Sequence, residues 1–104
     1  MAVYGGGIAG GDIMITSSRV LDNTAAYGGG IYSDGDVTLT ATTVTGNNAT
    51  SSTARGGGIL GDDVAVTSST VSGNTAVFGG GIFAYGDVVV TTSTVAQNRA
   101  VSNG

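Results

Sequence analysis

The stretch from residue 28 to residue 47 decides the fold. It runs Gly28-Gly29-Gly30-Ile31-Tyr32-Ser33-Asp34-Gly35, then Asp36-Val37-Thr38-Leu39-Thr40, then Ala41-Thr42-Thr43-Val44-Thr45-Gly46-Asn47. Its middle alternates apolar and polar side chains, the period of a half-buried strand. Three glycines stand before it, and an Asn closes it three residues after Val44.

Working outward, the same order recurs along the whole chain. Triple glycines lie at 5–7, 28–30, 56–58 and 79–81, and each is followed by an isoleucine: Ile8, Ile31, Ile59 and Ile82. Asp12, Asp36, Asp63 and Asp87 open the alternating runs, and Asn23, Asn47, Asn74 and Asn98 each follow eleven residues later. The glycine triplets are spaced by 23, 28 and 23 residues, the longer interval reflecting extra residues around Ala49–Ala54. A period in the twenties is that of a solenoid in which one repeat forms one rung. The rungs are expected at about 4–26, 27–54, 55–77 and 78–104 of a single array, itself a section of a longer array or an engineered consensus.

Each rung carries apolar columns. Ile13/Ile15, Val37/Leu39, Val64/Val66 and Val88/Val90 repeat on one strand, and Val20, Val44, Val71 and Val95 on the next. With the glycine-anchored isoleucines this predicts about three strands per rung. Stacked at ~4.8 Å, four such rungs would rise roughly 20 Å. The fold class is therefore all-β, a parallel β-helix of about four rungs. A sandwich or barrel would not place the same side chains in register every rung.

Composition agrees. The 104 residues include 20 Gly and no Pro, Cys, His or Trp. The only cations are Arg19, Arg55 and Arg99, all seven acids are Asp, and the net charge is −4. Thr, Val, Ser and Gly without Glu or Lys disfavour helix and suit strands broken by turns. Three arginines make no basic patch, so nucleic acid is not an expected partner. No apolar run approaches ~18 residues, so no membrane span is expected, and Met1-Ala2-Val3-Tyr4 enters the repeat without a signal peptide.

The pairing of Gly-Gly-Gly-Ile with Val-x-x-Asn resembles the repeat of chlamydial polymorphic outer membrane proteins and related bacterial surface proteins. Those carry Gly-Gly-Ala-Ile and Phe-x-x-Asn; here Gly7, Gly30, Gly58 and Gly81 replace the Ala, and Val20, Val44, Val71 and Val95 the Phe. The resemblance covers the repeats and not that family's C-terminal membrane barrel. It implies a right-handed parallel β-helix displayed outside the cell as an adhesin or passenger domain, with a host or cell-surface ligand among its partners.

Stacked amides satisfy one another in repeats, so Asn23, Asn47, Asn74 and Asn98 are expected to form a structural ladder rather than a ligand site. Ala25, Ala49, Ala76 and Ala100 would fill a crowded corner. Without His, Lys or Glu, and with Asp repeated at one register instead of forming a unique pair, no catalytic residue and no cofactor is expected. Asp12, Asp36, Asp63 and Asp87 are expected to cap the turn into the strand, bonding to amides two residues on; Asp36, Asp62, Asp63 and Asp87 are the weak calcium candidates. Thr16, Thr40, Thr67 and Thr91, with Ser18, Thr42, Ser69 and Ser93 two positions later, could form the paired outward ranks of an ice-binding face. Ala9, Tyr32, Leu60 and Phe83 are expected to point outward as an apolar stripe. The segment Thr50–Thr53 is expected to bulge from a corner.

Two functions follow. The first is a non-enzymatic structural or display module, a stalk, adhesin passenger or self-assembling rod that meets copies of itself through uncapped ends. The alternative is a specific binding module that uses one face for glycan, calcium or ice.

Overall fold

The computed structural model describes residues 2–103, with side chains from 5 to 100. The described residues are all strand and turn, and the strands pair in parallel in four sheets. The chain is a parallel β-solenoid of about four rungs.

The first sheet stacks Ile8–Gly10, Ile31–Ser33, Ile59–Gly61 and Ile82–Ala84. The second stacks Ile13–Thr16, Val37–Thr40, Val64–Thr67 and Val88–Thr91. The third stacks Arg19–Leu21, Thr43–Thr45, Thr70–Ser72 and Thr94–Ala96. The fourth holds Ala2–Tyr4, Thr24–Tyr27, Asn48–Ala49, Thr75–Phe78 and Arg99–Asn103. Each complete rung thus has four strands, where the sequence reading gave three. The fourth strand replaces the expected corner, and its inward residues, Ala25, Ala49 and Ala76, are too small to stand out as an apolar column.

Register is kept between neighbouring rungs of the first three sheets, where Ile8 pairs with Ile31, Ile31 with Ile59 and Ile59 with Ile82; in the fourth it shifts between Ala76 and Phe78. Ile31, Val37, Leu39, Val44, Ile59, Val64, Val66 and Val71 form one fully buried core, because period-two alternation puts every second side chain inside. Ile8 and Ile82 pack against it half-buried from the end rungs.

Three left-handed corners turn each rung. Gly28, Gly56 and Gly79 precede the first sheet at φ of 58°, 67° and 57°. Ser17, Ala41, Ser68 and Thr92 occupy the same region between the second and third sheets, at φ of 48–51°. Asp22, Gly46, Gly73 and Gln97 do so before the fourth. At Gly30 the reason for glycine is close approach instead. A Cβ there would lie 2.8 Å from the Gly58 carbonyl oxygen and 2.9 Å from Asn47 Cγ.

The regular strand of the second rung ends at Ala49, Thr50 and Ser51 N–H still bond to the Ala25 and Ala26 carbonyls, and the chain rejoins the ladder at Arg55, which bridges Phe78. Thr50, Ser52 and Thr53 are exposed, a turn closes from Ala54 N–H to the Ser51 carbonyl at 3.0 Å, and Ala54 is buried beside Ala49 and Ala76.

Candidate functional site

The polar columns come first, because most turn out to be committed to holding rungs together. Asn23 donates its backbone N–H and its Nδ2 to Asn47 Oδ1 at 2.9 and 3.0 Å. Asn47 repeats this toward Asn74, and Asn74 toward Asn98, at 2.9–3.0 Å. The second Nδ2 hydrogen of each upper Asn reaches back one rung, from Asn47 to the Val20 carbonyl, Asn74 to Val44 and Asn98 to Val71. Asn47 and Asn74 are buried, and every buried side-chain polar atom among the described residues has a partner.

The aspartates form a second ladder. Asp12 Oδ1 accepts the N–H of Asp36 at 2.9 Å, Asp36 that of Asp63 at 3.2 Å, and Asp63 that of Asp87 at 2.8 Å. The turn-cap expectation is corrected in its geometry: the carboxylate bonds to the next rung, not to an amide two residues on. Parallel stacking brings that amide closer than the chain's own turn. Asp36, Asp62, Asp63 and Asp87 are exposed, and no cluster of metal-ligating side chains occurs among the described residues. An amide oxygen can accept the same bond, so Asp63→Asn should change the melting temperature little, with or without millimolar calcium. Asp63→Ala should cost about 1 kcal/mol. A calcium-dependent rise of about ten degrees that Asp63→Asn abolishes would instead establish a metal site.

A third ladder overturns the paired-rank expectation. Thr42 and Ser69 are buried rather than outward. Thr42 N–H donates to Ser69 Oγ and Ser69 N–H to Ser93 Oγ, both at 3.0 Å. Each hydroxyl in turn donates to a carbonyl two residues back, as Thr42 does to Thr40 at 2.9 Å and Ser69 to Thr67 at 2.7 Å. The left-handed residue just before each of them breaks the alternation and swings the hydroxyl inward. Thr16, Thr67 and Thr91 are exposed and Thr40 half-buried, so the middle rungs keep a single outward rank.

Aromatic side chains gather elsewhere on the outer surface. The residue before each glycine triplet forms an outer column, with Tyr27, Arg55 and Phe78 at successive rungs. The residue after each anchoring Ile forms another, with Tyr32, Leu60 and Phe83 in register. The two columns flank the glycine corner and converge. Tyr27, Tyr32, Arg55, Leu60 and Tyr85 line an open cleft of about 240 Å³. Leu60, expected as exposed stripe, is only 3 % exposed and lies within this cleft.

Arg55 organises the cleft. Its guanidinium lies 5.9 Å from the Phe78 ring centroid and 5.5 Å from that of Phe83, within cation–π range of both. Phe83 meets Tyr85 edge to face, with centroids 5.4 Å apart. Tyr85 belongs to a rung one residue longer here than its neighbour, six residues from Ile82 to Val88 against five from Ile59 to Val64, and it projects outward, 65 % exposed. On the other side the Tyr27 hydroxyl meets Ser51 Oγ at 3.3 Å and Thr53 Oγ1 at 3.1 Å, so the inserted segment reaches the same site. The bonds to Ser51 and then Thr53 hold the Tyr27 phenol below its usual pKa; burial opposes them and the charge of Arg55 assists. The sequence reading identified Tyr32, Leu60 and Phe83 but not Tyr27, Arg55 and Phe78. The signal was available, since all three immediately precede a glycine triplet.

No protein-family model, curated protein sequence or solved structure gives a match to this chain.

Proposed function

We propose that this chain is a non-enzymatic structural section of a bacterial surface β-helix, a stiff stalk or adhesin-passenger segment that lengthens by adding rungs. The observation that carries the reading is where the polar side chains go. Amides, carboxylates and hydroxyls of the repeat form three rung-to-rung ladders, which is the work of a scaffold. The likeness of Gly-Gly-Gly-Ile and Val-x-x-Asn to surface-protein repeats supports display outside the cell. Labelling of intact producing cells by a membrane-impermeant reagent tests that location, and protection of the chain until lysis would refute it.

The extents of 31 × 26 × 24 Å make the chain itself nearly as wide as it is long, so a rod requires further stacking. The last rung offers the means. Val88, Val90 and Val95 are 44–47 % exposed there, whereas their counterparts Val64, Val66 and Val71 are buried. A second copy stacking its half-buried Ile8 and Ile13 on this rung would continue the core. Its Asn23 Oδ1 would then stand above Asn98 as Asn98 Oδ1 stands above Asn74. The charge of −4 opposes this weakly at physiological salt, where screening acts over ~8 Å. Sedimentation over about a hundredfold concentration range should show mass rising through dimers to longer species. A single monomeric species throughout would refute self-assembly through the ends.

A further inference from the structure

We propose that the cleft lined by Tyr27, Tyr32, Arg55, Leu60 and Tyr85 binds a carboxylated sugar residue of a glycan. Four observations converge on that class. Arg55 makes no ion pair among the described residues, yet two aromatic rings hold its guanidinium in place, so a planar fork of donors is set without a protein acceptor. The surrounding groups are ring faces and hydroxyls: Tyr32 and Tyr85 offer flat apolar surface, while the hydroxyls of Tyr27, Ser51 and Thr53 gather at one edge. A pyranose has the same two-sided character, apolar C–H faces with a polar hydroxyl rim, and aromatic side chains with polar tips match it.

The charge count selects among anions. One guanidinium suits one carboxylate. Asp34 and Asp62, exposed and two residues beyond Tyr32 and Leu60, are unfavourable to a polyphosphate or to nucleic acid. The volume selects the size. About 240 Å³ falls below the usual range of pockets for drug-sized ligands, and the cleft is open, so it accommodates one ring while the rest of the chain leaves over the surface. The second carboxylate-bearing alternative, an acidic peptide, has less to gain here, since nothing in the cleft offers a strand edge to pair with peptide backbone.

Titration of the intact chain, followed by tyrosine fluorescence and amide chemical shifts, decides the matter. The probes are trigalacturonate and sialyllactose, with methyl-esterified trigalacturonate, lactose and a tri-glutamate peptide for comparison. At least one acidic sugar should bind in the range of about 0.1–1 mM, with shifts confined to the glycine corner around residues 27–32, 51–60 and 83–85, and its neutral counterpart at least about tenfold more weakly. Arg55→Gln should weaken the acidic sugar about tenfold, and Tyr85→Ala, which removes a protruding ring, several-fold with an unchanged melting temperature. Arg19→Gln, on the third sheet, should leave binding unaltered. Absence of binding by both acidic sugars at about 10 mM, equal binding of the neutral forms, tighter binding of tri-glutamate, or an equal loss in Arg19→Gln would each overturn the assignment.

Discussion

Replacing Asn74 by alanine should lower the stability of the chain by about 3–5 kcal/mol, a fall in melting temperature of more than about 10 °C. The side chain makes four hydrogen bonds in a buried site. Its Oδ1 accepts from the N–H and the Nδ2 of Asn47, both at 2.9 Å, and its Nδ2 donates to the Val44 carbonyl at 3.0 Å and to Asn98 Oδ1 at 2.9 Å. Truncation leaves the Asn47 N–H and the Val44 carbonyl facing an apolar void, and each unsatisfied buried group costs about 1–3 kcal/mol. Thr67→Ala, on the exposed face of the same rung, should cost less than about 0.5 kcal/mol. Asn74→Asp should be at least as damaging as the alanine variant, because it keeps the acceptor but buries a charge and loses the donor. Thermal or urea unfolding of the three variants provides the comparison. Equal melting temperatures for Asn74→Ala and Thr67→Ala would show that the amide ladder is dispensable.

The alternation of Val37-Thr38-Leu39-Thr40 and its counterparts made the second sheet legible, because two inward side chains per strand leave a clear period. The third sheet, with one inward Val per rung, was legible only through repetition across rungs. The fourth strand had neither: its inward residue is Ala, too small to register as a hydrophobic column. Alternation also misled at Thr42 and Ser69. It assumes an unbroken strand, and Ala41 and Ser68 adopt left-handed backbone with no glycine to announce it. Hydrogen bonding of the Asp column to the next rung's amides depends on parallel stacking distance, which no single rung encodes. The aromatic cleft was half legible. Its Tyr32–Leu60–Phe83 column follows the core isoleucine directly, whereas Tyr27, Arg55 and Phe78 vary in chemistry from rung to rung and form a column only once register is known.

Gly58→Ala should cost about 3 kcal/mol, although the added group is a single methyl. Gly58 is the third glycine of its triplet, where the resembling surface-protein repeats carry Ala. Here a Cβ would stand 2.7 Å from the Gly81 carbonyl oxygen and 3.0 Å from Asn74 Nδ2. Neither neighbour can move freely: the Gly81 carbonyl accepts hydrogen bonds from Gly58 and Ile59 N–H at 3.0 and 2.9 Å, and the Asn74 amide is fixed by its four bonds. Gly73→Ala separates crowding from backbone strain. Gly73 has φ of 62° but open space around it, with no atom nearer a Cβ than 3.8 Å, so the cost there should be the left-handed penalty alone, about 1 kcal/mol. The two causes at Gly58 can also be resolved by a double-mutant cycle. In an Asn74→Ala background the amide contact is gone while the carbonyl contact remains. Gly58→Ala should then cost about 1 kcal/mol less than it does in the parent chain, a coupling that adjacent, mutually crowded positions produce and distant ones do not. If Gly58→Ala and Gly73→Ala cost the same, or if the cycle closes without coupling, the triplet is glycine for flexibility and the amide ladder does not set its third position.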